Sequence, residues 1–438
     1  MDIKTYDVAV IGAGMAGIIA ARDLSTKGHS VVLLEARGRV GGRTYTGDAF
    51  GRRMELGGGY VHWTQPNMWH ELQRHGFDTL VPPLEANKTF WLADGRVHSG
   101  TREEWFAAAG MNLARLLSDA RARFPKAVDI NAVDNTDLDR QTLKERIDAL
   151  GLSGYERDCL EGALSGLIHC PSQHGALQLL HGSATYFGDF MNYLETAGRW
   201  AIRCGTKPLI DAIMSESSAE LRLETPVSSI TDDGSWVSVK TRAGSDIRAH
   251  AAIVAVPLNT LGDMSITPEL TPAVRAMIDQ KNPVMASKVW ARVKGHIEPF
   301  HALAPAGKHP LSAVRAEKYH DGDTLFLCMC ADAAAIPSDT DERCRVVQDA
   351  MRVYVPDIEV VDTACHDWTT DEFSKGAWMM HRPGNLTGAA AQIRKRHGRI
   401  HFAGADIAAV DTGAIEGAMG SGAAAARDVV AYLRMTRI

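Results

Sequence analysis

A cluster of glycines near the start of the chain has the spacing of a phosphate-binding turn. Residues 8–11 form a short apolar run typical of a buried strand, and residues 12–17 follow it directly with the sequence GAGMAG. Gly12 allows a tight turn, Gly14 lets the backbone approach a pyrophosphate, and Gly17 lets a helix pack closely. The N-terminus of that helix supplies backbone amides and a positive dipole. Because a strand and a helix flank the glycines, the pattern favours a dinucleotide site over a glycine-rich loop without a ligand.

An acidic residue lies where the ribose of a dinucleotide would need one. A second strand is predicted over residues 30–34 and is followed by Glu35, 18 residues beyond Gly17. A carboxylate at this distance suits hydrogen bonds from ribose hydroxyls and favours an adenosine ribose without a phosphate. FAD and NAD share this fingerprint, so these residues do not choose between them.

The residues after Glu35 bear on that choice. Residues 36–44 read ARGRVGGRT, in which Gly41 and Gly42 precede Arg43. Two glycines beside an arginine allow a guanidinium and main-chain amides to neutralise a diphosphate, although a basic surface loop is the alternative interpretation. The run from Glu35 to Arg43 resembles the second signature of the flavin-containing amine oxidases, the family of monoamine and polyamine oxidases.

Two further segments extend this resemblance over nearly the whole chain. Residues 55–62, with the sequence ELGGGYVH, are similar to the family's glycine-rich stretch beside the isoalloxazine ring, and residues 398–419 match its C-terminal signature in spacing. The resemblance implies FAD as the cofactor. It also implies an α/β fold, in which a Rossmann-type FAD-binding domain is interleaved with an α+β substrate-binding domain, as in monoamine oxidase.

The resemblance implies which residues contact FAD. Val227 matches a position whose backbone contacts adenine, while Gly404 and Asp406 are expected near the ribityl chain and diphosphate. A helix starting near Ala414 is expected to point its positive end at the pyrimidine side of the flavin. The full predicted set is Gly12, Gly14, Met15, Ala16, Gly17, Glu35, Ala36, Arg37, Gly42, Arg43, Gly57, Gly58, Gly59, Tyr60, Val227, Trp378, Gly404, Asp406, Ala414 and Ile415.

A single lysine interrupts an apolar, strand-like run over residues 284–293. Burying Lys288 without a partner would be costly, so the sequence favours either a functional role or a side chain that extends to solvent. In the resembling family, a lysine at this place holds a water molecule near flavin N5. The resemblance therefore implies a catalytic role for Lys288.

The predicted substrate cage departs from the family pattern on one side. Many relatives place two aromatic rings around the substrate amine. Residues 375–378 supply one ring through Trp378, whereas residues 413–415 offer only the methyl group of Ala414. Trp378 is predicted as a catalytic wall and substrate contact, and Ala414 as a substrate contact. The open side predicts a bulkier or ring-bearing amine.

Three other positions refine the prediction. At Ala377 some relatives have a cysteine bonded to the flavin, so a non-covalent FAD is expected. The sequence around residues 366–378 and 400–406 looks particularly like bacterial nicotine-alkaloid oxidases, whose active-site asparagine aligns roughly with Ser165. Ser165 and His62 are predicted as substrate contacts. No catalytic role is predicted for His62, because a histidine beside a glycine turn is more often packed or solvated.

Together with the resemblance, these residues predict oxidation of an amine. Hydride would pass from the carbon beside a neutral amine nitrogen to flavin N5, and water would hydrolyse the resulting imine. The protein would hold that carbon about 3 to 3.5 Å from N5 and desolvate the amine. The predicted partners are a small-molecule amine, such as a cyclic or aryl-substituted hydroxylated nicotine-type alkaloid, and molecular oxygen or another electron acceptor. A homodimer is compatible with the sequence.

Two alternative functions stay open. An L-amino-acid oxidase of the same superfamily would need an arginine to pair with the substrate carboxylate, and Arg315 and Arg382 are candidates. A non-catalytic FAD-binding protein is the other alternative. Lys288 and the intact flavin motifs weigh against it.

The elements that position these residues are predicted to form two discontinuous domains. Residues 1–64, 201–262 and 385–438 are assigned to the FAD-binding domain, and residues 65–200 and 263–384 to the substrate-binding domain. The first substrate-binding piece reads mainly as amphipathic helices, including one over residues 105–123.

Composition narrows the function classes. A net charge of -6 provides no general basic field, so neither nucleic acid nor an anionic membrane is an expected partner. No metal site is expected, because the seven cysteines contain no CxxC pair and no spaced Cys/His array. An odd cysteine count and an opening without a signal-peptide pattern predict a cytoplasmic location.

Overall fold

Short strands and helices alternate along residues 4–436, the part of the chain that the computed structural model describes. The strands are β1 (Thr5–Ile11), β2 (Val31–Leu34), β3 (Thr46–Ala49), β4 (Arg52–Glu55), β5 (Leu80–Val81), β6 (Lys88–Ala93), β7 (Arg96–Gly100), β8 (Ala201–Ile202), β9 (Glu220–Arg222), β10 (Val227–Asp232), β11 (Val237–Thr241), β12 (Asp246–Val254), β13 (Ser265–Thr267), β14 (Ser287–Val293), β15 (Phe300–Leu303), β16 (Ala313–His320), β17 (Asp323–Cys330), β18 (Val360–Cys365) and β19 (Ile400–Phe402). The helices are α1 (Met15–Ser25), α2 (Pro66–His75), α3 (Arg102–Leu116), α4 (Ala120–Arg123), α5 (Thr136–Asp139), α6 (Leu143–Asp148), α7 (Gly154–Leu164), α8 (Ala176–Thr185), α9 (Phe190–Gly198), α10 (Lys207–Ser215), α11 (Leu258–Leu261), α12 (Pro272–Gln280), α13 (Thr340–Arg352), α14 (Ala390–Ile393) and α15 (Ile415–Thr436).

The first main sheet joins strands from both ends and the middle of the chain. Its order is β13-β10-β11-β12-β1-β2-β9, and β19 also pairs with β12. The central pairs β12–β1, β1–β2, β2–β9 and β12–β19 are parallel. Since parallel strands end at the same edge, the residues that follow β1, β2, β12 and β19 meet there, which is where ligands bind in open α/β sheets.

Two helices from opposite ends of the chain pack closely on this sheet. Apolar residues of α1 and α15 share one buried core with Val8 and Val10 of β1. A Cβ atom at Gly422 in α15 would lie 2.1 Å from the Ala16 carbonyl oxygen of α1, so this contact requires a glycine. The C-terminal helix is thereby held against the helix that follows the glycine turn.

The second main sheet has the order β18-β14-β17-β16-β15-β6-β7. Its central pairs, such as β14–β17 and β16–β17, are antiparallel, and α13 packs on one face. Lys288 lies on β14 and pairs with Met329 of β17. This sheet therefore carries the predicted catalytic lysine.

Helices α3 to α9 form a separate layer whose apolar core includes Ala377 and Met380. Capping boxes explain why α3, α6 and α7 begin where they do: Thr101, Thr142 and Ser153 each accept a hydrogen bond from the amide three residues later. The predicted helix over residues 105–123 is divided, because α3 ends at Leu116 and α4 begins at Ala120.

The predicted domain boundaries remain a prediction. Strands of the first sheet come mainly from the ranges assigned to FAD binding, although β13 lies beyond residue 262. Helix α2 follows residue 64 and contributes Met68 and Leu72 to the core of α1 and α15. Among residues 4–436, none of the helices has the length and apolarity that a bilayer crossing requires.

Candidate active site

One cavity of about 1160 Å³ joins the edge of the first sheet to the second sheet and the helical layer. It exceeds the roughly 300–1,000 Å³ of ordinary small-molecule pockets. Every predicted cofactor contact lines it except Gly17 and Asp406, and Lys288 lines it as well. The cavity therefore has room for a dinucleotide together with a second ligand.

The glycine turn has the geometry that a diphosphate needs. Gly12 has φ +98°, and a Cβ atom there would lie 2.7 Å from the Ala255 carbonyl oxygen. Gly14 is the N-cap of α1, and within the described residues no side chain caps that helix. Its first amides and its positive dipole are consequently available to an anion. A Cβ atom at Gly17 would lie 1.8 Å from the Gly12 carbonyl oxygen, so Gly17 serves packing and does not reach the cavity.

Glu35 is fixed at the end of β2 by two backbone amides. Its Oε2 accepts a hydrogen bond from the Ala13 amide at 2.8 Å, and its Oε1 accepts one from the Arg37 amide at 2.8 Å. An ionised carboxylate has about four lone-pair sites, so both oxygens retain capacity for ribose hydroxyls. Glu35 and Val227, the predicted ribose and adenine contacts, both line the cavity.

The Arg43 guanidinium links the N-terminal and C-terminal segments of the site. Its Nη2 forms an ion pair with Asp406 Oδ1 at 2.7 Å, and its Nη1 donates to the Ala377 carbonyl oxygen at 2.7 Å. Asp406 is buried, and its Oδ2 accepts from the Leu258 amide. Asp406 is not among the residues that line the cavity, and its carboxylate positions Arg43, which does line it. A direct contact between Asp406 and the cofactor stays a prediction.

A glycine run lies against Arg43 on the flavin side of the predicted site. A Cβ atom at Gly57 would lie 2.1 Å from the Arg43 carbonyl oxygen, and the Gly58 amide donates to that oxygen at 3.0 Å. A Cβ atom at Gly58 would lie 3.9 Å from the side chain of Ile415 at the start of α15. Such a cradle without side chains, together with the uncapped α1, fits the flat ring and diphosphate of FAD.

Lys288 reaches this glycine run from the second sheet. Its Nζ donates to the Gly57 carbonyl oxygen, and its side chain faces the cavity. Burial lowers the pKa of Lys288 to about 8, although the negative charges of Glu55 and Glu317 act in the opposite direction. A lysine with this pKa can exist in either protonation state near neutral pH, which suits it to exchange protons with bound water.

Trp378 is held firmly as one wall of the cavity. Its indole Nε1 donates to the Leu167 carbonyl oxygen at 3.2 Å, and its own carbonyl oxygen accepts from Asn282 Nδ2 at 2.6 Å. The His169 ring packs edge-on against it at 5.1 Å between centroids. These contacts fix the ring's orientation, as an aromatic substrate wall requires.

The cavity wall near Ala414 is more polar than the sequence indicated. Gly413 has φ +86° and packs against the backbone of Met379, leaving Ala414 at the cavity surface. Tyr186, Tyr193 and Asp411 line the same cavity, and the Tyr186 hydroxyl donates to Asp411 Oδ1 at 3.0 Å. Sequence reasoning missed this group, because 225 residues separate Tyr186 from Asp411 and no motif marks either residue.

A charged network lies behind Tyr60. The Tyr60 hydroxyl donates to Glu317 Oε1 at 3.0 Å, and Arg315 pairs with the same carboxylate at 2.6 Å. Arg315 lines the cavity, but this pairing already neutralises its charge. Arg382 lies outside the cavity lining and bonds to Gln173 and to the carbonyl oxygens of residues 280 and 281.

Two predicted substrate contacts do not reach the cavity. The fully buried Ser165 hydroxyl lies 2.7 Å from the Gly162 carbonyl oxygen and 2.9 Å from that of Ser312. His62 is also buried: its Nδ1 bonds to the Thr64 hydroxyl, and its ring packs against Trp63 with an interplanar angle of 31°. Neither residue is among those that line the cavity, so their predicted contacts with the substrate stay predictions that this geometry does not support.

The comparisons with known proteins agree with this geometry. A sequence model of the family described as flavin containing amine oxidoreductase matches residues 15–430. A pseudooxynicotine dehydrogenase of Pseudomonas sp. is 32% identical, covering 98% of this chain and 87% of the relative. A nicotine dehydrogenase of Pseudomonas putida is 32% identical over 97% and 88%, and an (S)-6-hydroxynicotine oxidase of Paenarthrobacter nicotinovorans is 29% identical over 94% and 97%.

Solved structures share the fold at lower sequence identity. Putrescine oxidase bound to putrescine superposes with a TM-score of 0.84 at 23% identity, covering 98% of this chain and 99% of that one. Cyclohexylamine oxidase from Brevibacterium oxydans has a TM-score of 0.82 at 21% identity, with the same coverage. The predicted α/β fold of the monoamine oxidase type is confirmed.

Proposed function

Because this chain belongs to the flavin-containing amine oxidoreductases and is an FAD-dependent enzyme that oxidises amines, we propose that its substrate is a cyclic or aryl-substituted amine. One observation carries the proposal: a single cavity connects the glycine turn and Glu35 with Lys288 and Trp378. The relatives named for pseudooxynicotine, nicotine and (S)-6-hydroxynicotine support a nicotine-type alkaloid as the substrate class.

The cofactor would be held by the glycine turn, Glu35, the Arg43 segment and the start of α15. Bound FAD would accept a hydride equivalent from the carbon beside the amine nitrogen, and water would hydrolyse the resulting imine. Ala377 supports non-covalent binding, since its methyl group cannot form a thioether. The seven free thiols support a reducing, cytoplasmic location.

The protein's own residues orient and desolvate the substrate. Trp378 forms a rigid wall, and the apolar side chains of Leu303 and Met380 exclude water from the same cavity. Exclusion of water favours the neutral amine, which is the form that can be oxidised. Lys288 donates from Nζ to the Gly57 carbonyl oxygen, and its lowered pKa would let it exchange a proton with a water molecule bound in the cavity.

Anaerobic reduction of the purified holoenzyme tests this proposal. The protein is expected to be yellow, and its flavin absorbance should bleach with cyclic or aryl-substituted secondary amines. L-Amino acids of similar shape should fail, because Arg315 is already paired with Glu317. Bleaching by amino acids alone would support an amino-acid oxidase, and bleaching by neither class would support a non-catalytic FAD-binding protein.

A further inference from the structure

The cavity wall beside Ala414 carries a carboxyl group that the proposed oxidation does not use. Asp411 lines the cavity, and its Oδ1 accepts the Tyr186 hydroxyl at 3.0 Å. Across the described residues, no lysine, arginine or histidine is among the groups that shift its pKa. The carboxyl group therefore faces the cavity without a cationic partner from residues 4–436.

Two aromatic rings lie beside this carboxyl group. Tyr186 and Tyr193 stack with 5.8 Å between ring centroids and an interplanar angle of 22°. Both rings line the cavity, and Asp411 raises the pKa of Tyr193 by its charge, in addition to the effect of burial. A carboxylate next to aromatic faces is the combination that attracts organic cations.

The electrostatics of Asp411 also favour a cation as its partner. Burial raises the pKa of Asp411 to about 6, and the charge of Glu416 acts in the same direction. Glu416 is not placed to bond the cation directly, because the Asn67 side chain and the amides of Asn67 and Met68 donate to its oxygens. A cation placed at Asp411 would offset the cost of burying its negative charge.

We propose that Asp411, Tyr186 and Tyr193 form a subsite for a second, cationic group of the substrate, separate from the nitrogen that is oxidised. The substrate class is then an amine with a second basic nitrogen. A carboxylate touching the reacting nitrogen would favour its protonated form, so the oxidised nitrogen lies elsewhere, on the side of Trp378 and Lys288. The position of that oxidised nitrogen rests on the proposed function, whereas the cation subsite rests on its own contacts.

A matched pair of ligands tests the subsite in the holoenzyme. The probes are 3-phenylpropyltrimethylammonium and its uncharged tert-butyl analogue, whose end groups have the same shape. Calorimetric titration should show about tenfold tighter binding of the cation. Asp411→Asn should bring the affinity ratio close to one while the flavin absorbance is retained. Asn is a suitable replacement, because residue 411 has φ 51° and Asn adopts that conformation readily.

Two further variants make the result specific. Tyr186→Phe keeps the ring and removes the hydrogen bond, so it should lower the affinity ratio of the two probes less than Asp411→Asn does. It replaces Asp411→Asn as the test of the subsite if that variant does not fold. Glu195→Gln is the control, since Glu195 lines the same cavity but bonds to Trp200 Nε1. It should leave the ratio unchanged.

Three outcomes would overturn the subsite: equal binding of the two probes to the wild type, an unchanged ratio in Asp411→Asn, or an equal loss in Glu195→Gln. The last would mean that the total charge of the cavity attracts the cation. Neither probe has an oxidisable primary or secondary amine, so binding is measured without turnover. A failure of amines to bleach the flavin would therefore defeat the proposed function and leave this measurement interpretable.

Discussion

The two ends of the cavity are built in different ways. At the cofactor end, neighbouring residues such as Gly12 and Gly14 present backbone atoms, and the site depends on side chains being absent. At the substrate end, the side chains of Lys288, Trp378 and Asp411 come from elements far apart in the chain. A change at the cofactor end should therefore affect all substrates equally, whereas a change at the substrate end should affect some substrates more than others.

The largest effect is expected at the cofactor end. A Cβ atom at Gly14 would meet protein only at 4.0 Å, from the Gly42 Cα, so the space beside Gly14 is open to the cavity. Gly14→Val would fill the space predicted for the diphosphate and should lower FAD content to about a tenth or less. The measurement is flavin absorbance per mole of folded protein.

A glycine-to-valine substitution at the substrate end of the cavity, Gly166→Val, is the control. A Cβ atom at Gly166 meets no heavy atom within 4 Å, so Gly166→Val should keep its FAD and change only the KM values for amines. A yellow, active Gly14→Val enzyme would contradict the assignment of the glycine turn.

An intermediate effect is expected at Lys288, where the two ends meet. Lys288→Met should retain FAD but slow flavin reduction or reoxidation by at least about tenfold, because the ammonium group that holds water is lost. Stopped-flow measurement of both half-reactions tests this. Unchanged rates would show that Lys288 has no role in either step.

The pH dependence of stability gives an independent check on Lys288. Its folded pKa of about 8 lies below the ordinary value of 10.5. Between these values the unfolded chain binds the proton and the folded protein does not, so this group adds stability as pH rises through that window. The free energy of unfolding of the wild type should therefore increase relative to Lys288→Met between pH 8 and 10. A constant difference would indicate an ordinary, exposed lysine.

The smallest effect on catalysis is expected at Ser165. Ser165→Ala removes a hydroxyl that lies near two buried carbonyl oxygens, so stability should fall by about 1 kcal/mol. The KM for the best amine should stay within about twofold of the wild-type value, unlike that of the adjacent Gly166→Val. A large rise in KM would instead support the predicted contact between Ser165 and the substrate.

The cofactor end could be predicted from the sequence because its geometry is local. Gly12 and Gly14 follow a buried strand, and Glu35 follows the next strand along the chain. Parallel pairing of those strands then brings these residues to one edge. The roles of Trp378 and Lys288 were inferred through the family resemblance, and both residues line the cavity.

The substrate end was predicted less completely, because it depends on distances that no local pattern encodes. Ser165 was placed by rough alignment of a helix, and just after the end of α7 a shift of one residue decides whether a residue lines the cavity: Gly166 lines it and Ser165 does not. Tyr186 follows α8 and Asp411 precedes α15, so the two residues meet only when these distant segments pack together in the folded chain.

The ion pair between Arg43 and Asp406 has a consequence for how the enzyme is made. A ribosome releases Arg43 long before Asp406, and strand β19 must pair with β12 before the two residues can meet. The emerging chain can fold its early strands and helices during translation, yet it lacks one side of the nucleotide site until its last segment leaves the exit tunnel. Loading of the flavin therefore belongs to the end of synthesis, and a polypeptide truncated before residue 400 should remain colourless however well its remaining strands assemble.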